Sequence, residues 1–138
     1  MAEGEHKDKT IHLSIVSPAA LLYENEVKYA QVPVHDGLIG VLPGHAAYIS
    51  MLGWGMLTLH DKLGVSKFVI DGGFLEIAPD RITVLANHAE NLDDVDQETA
   101  EKNLEEALLL PAYGEVAMQV REQRIAAART RLNALKDK

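Results

Sequence analysis

Near residue 90 the spacing of apolar side chains changes period, and that change constrains the fold more than any other feature. Before it, apolar and polar residues alternate, as in Ile11-His12-Leu13-Ser14-Ile15 and Arg81-Ile82-Thr83-Val84-Leu85. A period of two is the mark of a half-buried strand. Phe74-Leu75-Glu76-Ile77 reads the same way, and residues 27–34 (VKYAQVPV) are rich in strand formers, with Pro33 suggesting an edge or a strand end. Two further strands, around residues 56–60 and 67–70, flank the turn-like Asp61-Lys62-Leu63-Gly64, and Ala78-Pro79-Asp80 makes another turn. After the change, Ala100, Leu104, Ala107 and Leu108 stand at i, i+4, i+7 and i+8, one face of a helix. Asp93, Asp94 and Asp96 precede it, where acids cap a helix and meet its positive end. Pro111-Ala112-Tyr113-Gly114 stops it, and a second helix starts near Glu115. Met118, Ile125 and Leu132 recur every seven residues there, with Arg121, Ala128 and Leu135 three beyond each. That is a narrow seam of the kind one helix offers another.

The expected architecture is therefore α+β. An N-terminal all-β sandwich occupies residues 1–89, and a C-terminal antiparallel α-helical hairpin occupies residues 90–138, with a linker at residues 87–93. A thin seam gives the hairpin few apolar anchors, so it is expected to dock weakly enough to detach.

Composition narrows the chemistry. At 138 residues and 47% apolar, one ordinary core is within reach. There is no cysteine, which excludes disulfides, thiolate-bound metal and a thiol nucleophile. The first ten residues, MAEGEHKDKT, are polar with charges of both signs, unlike a signal or transit peptide. No run of apolar residues is long enough to insert in a membrane. A net charge of −8 argues against nucleic acid and anionic lipid as partners. The charge is also divided: residues 90–110 carry one basic and eight acidic groups, and residues 111–138 carry six basic and three acidic.

One stretch invites a catalytic reading. Residues 34–46, VHDGLIGVLPGHA, hold three glycines, two histidines and an aspartate. The glycine spacing, G-x-x-G-x-x-x-G, fits neither a dinucleotide fingerprint nor a P-loop. His35 and His45 stand across at least two turns, so their spacing brings no metal or acid–base pair together. Asp36-Gly37 and Pro43-Gly44 read as turn dipeptides. The residues alone favour an interaction protein over an enzyme. They leave open a β-sandwich adaptor for an unrelated partner and a small metal- or His-dependent enzyme.

A resemblance narrows this further. The run from Gly37 to Ala46, GLIGVLPGHA, resembles the G-x-x-G-x-x-P-G-H-A segment of the epsilon subunit of F-type ATP synthases, called delta in mitochondria. The similarity continues through Gly55-Met56-Leu57, the run FVIDGGFLEI at residues 68–77, Ile82-Thr83-Val84-Leu85-Ala86 and Ala89-Glu90, with His12-Leu13 and Val16-Ser17 resembling the family's first strand. The resemblance implies a non-catalytic rotor subunit at the foot of the central stalk, coupling ion flow to ATP synthesis. Its partners would be the gamma subunit, the ring of c subunits and, transiently, the catalytic beta and alpha subunits. It would be peripheral, on the cytoplasmic face of the bacterial inner membrane. Gly37, Leu38, Ile39 and Gly40 would form a turn facing the c-ring, with Leu38 and Ile39 as its surface. Pro43, Gly44 and His45 would lie toward gamma. Arg121, Arg124, Arg129 and Arg131 would meet an acidic loop on the beta subunits, where the helical arm inhibits ATP hydrolysis. Some bacterial relatives bind ATP through an L/I-D-x-x-R-A motif. The matching run here is Leu92-Asp93-Asp94-Val95-Asp96-Gln97, with Asp96 and Gln97 where Arg and Ala would stand. An acid in the arginine position repels a triphosphate, so no cofactor is expected.

Overall fold

The computed structural model describes residues 9–136. Most of the polar lead lies outside the described residues. Eight strands come first: β1 (Ile11–Val16), β2 (Leu21–Val27), β3 (Tyr29–Val34), β4 (Gly37–Val41), β5 (Tyr48–Asp61), β6 (Gly64–Ala78), β7 (Arg81–Ala86) and β8 (Ala89–Asn91). A 3-10 turn, Leu92–Asp94, leads into helices α1 (Gln97–Leu108) and α2 (Glu115–Lys136).

The strands run in the order β2-β1-β7-β6-β5-β3-β4, with β8 also paired to β6. Every pairing is antiparallel except β1 with β7. The sheet folds back on itself, because Tyr23 of β2 meets Phe68 of β6 edge-on, with ring centroids 5.7 Å apart. Between the layers lie Ile11, Leu13, Ile15, Leu57, Leu59, Ile70, Leu75, Ile82 and Val84, all buried. Each such side chain contributes about 1.5–3 kcal/mol by leaving water. The alternation in β1 and β7 is thus the sign of one face turned to this core.

Strands β5 and β6 change sides along their length. In β6, Leu75 and Ile77 point inward at one end and Phe68 and Ile70 at the other. Odd and even positions cannot share a face in a regular strand, so the pleat must reverse between them. It does so at Gly72 and Gly73, whose φ values are 75° and 127°. At Gly73 a Cβ would stand 2.1 Å from the carbonyl oxygen of Leu85. β5 reverses alongside: Leu52 faces the core before Gly53, and Leu57 and Leu59 after it.

The outer side of that second half carries the hairpin. Val69 of β6, Leu92, Val95 and Ala134 of α2 form a small second core, with Met56 and Leu135 against it. The helices end as their sequence foretells. Asp96 caps α1 by accepting from the Thr99 backbone N–H at 3.0 Å, and Gly114, at φ 84°, sets the turn into α2.

Three expectations need correction. Residues 87–93 are no free linker: Asn87 N–H donates to Gly72 O, Asp71 N–H to His88 O, and β8 pairs with β6. The last strand therefore straddles the boundary drawn at residue 89. Residues 37–40 are not a turn but strand β4, paired along β3 from Val34↔Gly37 to Ala30↔Val41. The turn falls just before it, at His35 and Asp36. Residues 67–70 and 74–77 are one continuous strand, since the intervening glycines bend β6 without ending it.

Candidate functional site

Among the described residues, no group of three or more His, Asp or Glu side chains is gathered as a metal site would require. The organised features of the surface are two contact faces, one apolar and one charged, on opposite sides of the reversal in β6.

The apolar face is built by register. Met51 of β5 stands opposite Phe74 of β6, Phe74 opposite Leu85 of β7, Leu85 opposite Val16 of β1, and Val16 opposite Leu21 of β2. Directly opposed residues share a face, so these five side chains make one stripe across five strands. Met51, Phe74, Leu85 and Leu21 are exposed and Val16 is half-buried. Exposed Ile49 lies beside the stripe, two residues before Met51 on the same strand. Single exposed apolar residues are ordinary, but a contiguous apolar patch marks an interaction site. The adjacent row is polar: Glu76 opposes Ile49, and Thr83, Ser14 and Glu24 continue it. Beyond it, His12 sits between Glu24, at 3.2 Å, and Glu26, at 2.7 Å. Hydrogen bonds to Glu24 and Glu26 raise its pKa above the ordinary histidine value.

This stripe is not legible in the sequence. Its members lie in five separate segments, and only the strand register aligns them. Pro43, Gly44 and His45, expected to lie toward gamma, stand in the loop that enters β5. Gly44 donates its N–H to Pro79 O at 3.0 Å, and the His45 ring packs 6.4 Å from that of Tyr48. His45 Nδ1 is 2.7 Å from the carbonyl of Ala46.

In β4 the four residues named for a ring contact divide by pleat. Leu38 is exposed, whereas Ile39 leans on the main core. Ile39, partly buried, therefore offers less surface than Leu38. Gly40 leaves room for the Tyr29 hydroxyl, which would stand 2.8 Å from a Cβ there.

The charged face joins hairpin to sheet. Arg131 of α2 lays its fork on Asp71 of β6, with Nη1 donating to Oδ1 at 3.1 Å and Nη2 to Oδ2 at 2.8 Å. Its Nε donates to Glu90 of β8 at 3.3 Å, and Nη2 reaches His88 Nδ1 at 3.1 Å. Its side chain is only 11% exposed and that of Asp71 only 9%. Burial pulls the Arg131 pKa down, but the hydrogen bonds and charges of Asp71 and Glu90 outweigh it and hold it above its usual value. The other arginines are placed differently. Arg121 donates to the Leu108 carbonyl at 3.4 Å, near the end of α1, while Arg124 and Arg129 are exposed. Asp96, the acid in the arginine position of the nucleotide motif, accepts from both the N–H and the hydroxyl of Thr99 and is occupied as a cap.

Comparison with known proteins gives a consistent result. Residues 10–92 match the family model described as ATP synthase, Delta/Epsilon chain, beta-sandwich domain. An ATP synthase epsilon chain of Leptospira interrogans is 37% identical over 101 residues, 73% of this chain and 80% of the relative. One from Rhodopirellula baltica is 32% identical over 125 residues, 91% of this chain and 98% of the relative. Among solved structures, a chain in the OSCP/F1/c-ring assembly of the Euglena gracilis mitochondrial ATP synthase superposes with a TM-score of 0.79. It is 25% identical, and the match covers 91% of this chain and 81% of that one.

Proposed function

Since the chain belongs to the delta/epsilon chain family of ATP synthases, we propose that it is the epsilon subunit of the rotor's central stalk and performs no catalysis itself. The observation that carries this reading is the stripe from Met51 to Leu21 on a rigid, cross-paired sheet. A coupling subunit transmits torque, so its contact side chains must be fixed relative to one another, and adjacent hydrogen-bonded strands fix them. We assign the stripe, with Pro43, Gly44 and His45 at its flank, to the gamma subunit. The β4 edge, Gly37, Leu38 and Gly40 with Ile39 behind them, is assigned to the polar loops of the c-ring. These contacts hold the subunit on the cytoplasmic face of the membrane as a peripheral component; no described helix is long and apolar enough to cross a bilayer.

The hairpin serves as an inhibitory arm. Arg121, Arg124 and Arg129 stand ready for acidic groups on the catalytic beta subunits, and Arg131 becomes available only on leaving the sheet. The Asp96 carboxylate, already engaged by the Thr99 N–H and hydroxyl, supports the reading that ATP does not hold this arm.

Co-expression with the gamma subunit tests the main reading: the two are expected to purify together in equal proportion. A chain that elutes alone beside intact gamma rejects it. Removing residues 97–138 from the assembled synthase, leaving Leu92 and Val95 to cover Val69, is expected to raise ATP hydrolysis without loss of assembly. Equal rates with and without the arm reject inhibition.

A further inference from the structure

The hairpin is held to the sheet by little apolar area. Its buried residues in α1 and α2 are all alanines: Ala100, Ala107, Ala128 and Ala134. Between the helices and the sheet lies an open cleft of about 630 Å3, lined by Trp54, Asn87, Asn103, Gln123 and Arg124 beside the charged cluster. The helices do not compensate by pairing charges with one another: among the described residues, the only arginine of α2 in a salt bridge is Arg131, and it turns to the sheet. The strongest polar hold on the hairpin is thus one guanidinium, bound to one acid from β6 and another from β8. Nη1 also donates to the Ala127 carbonyl at 2.9 Å, which fixes the fork against its own helix.

Asp71 is the only buried charged residue among those described. Removing one partner from a buried pair leaves the other charge without compensation, a far larger penalty than loss of a surface pair. Asp71 can shed that penalty only if water reaches it, and water reaches it when α2 lifts.

We propose that the fork of Arg131 on Asp71 and Glu90 is the latch of the hairpin, and that opening it is the step that frees α1 and α2 from the sheet. This rests on the reading of the hairpin as a movable arm. It adds which residue decides the arm's position. Arg131 acts by positioning the arm, and it can face a partner's acids only after giving up Asp71.

Hydrogen exchange on the full chain tests the latch without the rest of the synthase. In R131Q, amides of α2 are expected to exchange at least about tenfold faster, while those of β1, β5 and β7 keep their protection. D71N should do the same. The double variant R131Q/D71N should be no faster than either single, because both remove one interaction. Unchanged protection of α2 in R131Q overturns the proposal. So does an additive double variant, or a loss spread equally over sheet and hairpin. The same variants in the assembled synthase separate the two ideas. Faster α2 exchange with unchanged ATP hydrolysis keeps the latch and rejects the inhibitory arm. Unchanged exchange rejects the latch and leaves the rotor assignment standing.

Discussion

Tyr23 donates its phenolic hydrogen to Asp61 across 3.0 Å, joining β2 at one end of the strand order to β5. This bond pins the folded-over sheet. Burial first, and then the hydrogen bond to Asp61, pushes the Tyr23 pKa up to about 12. A raised acid pKa means that the folded chain holds the proton more tightly than the unfolded one. The stabilisation is complete below the unfolded value near 10 and is lost as pH rises through about 12. Tyr23→Phe should cost about 0.5–1.5 kcal/mol in urea unfolding at neutral pH. It should also remove part of the alkaline loss of stability, a difference read from denaturation curves between those two pH values.

Gly73 and Gly64 both have positive φ, 127° and 136°, but only Gly73 is crowded. At Gly64 a Cβ would meet nothing within 4 Å. Gly64→Ala should therefore cost only the backbone strain, about 1 kcal/mol. Gly73→Ala must also move the Leu85 carbonyl and should cost at least about 3 kcal/mol or prevent folding. Thermal and urea denaturation of the pair would show whether the pleat reversal requires glycine at that position.

Phe74 lies within the stripe, between Met51 and Leu85, and is 55% exposed. Phe74→Glu should change stability by less than about 1 kcal/mol, as surface substitutions usually do. It should nevertheless abolish recovery with gamma, because a charge would be buried without a partner in the contact. Retained co-purification would place the contact elsewhere on the sheet.

Asp96 caps α1, and its hydrogen bonds to Thr99 lower its pKa below the ordinary carboxylate value. A depressed value means that the cap's contribution is present at neutral pH and fades as pH falls through the folded pKa. Asp96→Ala should speed exchange of the Thr99 and Ala100 amides while leaving α2 unchanged. Asp96→Arg restores one letter of the nucleotide motif but removes the cap, so isothermal titration with ATP should show no gain in binding.

The sequence made the class of fold legible where one side of an element is buried. Leu13 and Ile15, or Ala100 and Ala107, announce their elements through spacing because each faces a core. Strand β2 leaves no signal in the sequence because LLYENEV is exposed along nearly its whole length and carries no alternation. Strand β4 resembles a turn in the sequence because its glycines have two uses: Gly37 starts the strand and Gly40 makes room for Tyr29. The reversal in β6 hid the apolar stripe, since Phe74 looks like an ordinary core residue until its face is known. The Asp71–Arg131 pair was out of reach for another reason. Its two members are sixty positions apart in the chain, and no local pattern joins them.

The glycine reversal has a mechanical consequence. Asp71 and Phe74 are three residues apart and would face opposite ways on a regular strand. The reversal turns both outward, so β6 meets the hairpin at Asp71 and carries the stripe at Phe74. On the proposed assignment, torsional load taken up at Phe74 would reach the Arg131 anchorage through three peptide bonds and the two glycines between them. The strand that would feel the twist of the shaft is also the strand that moors the arm.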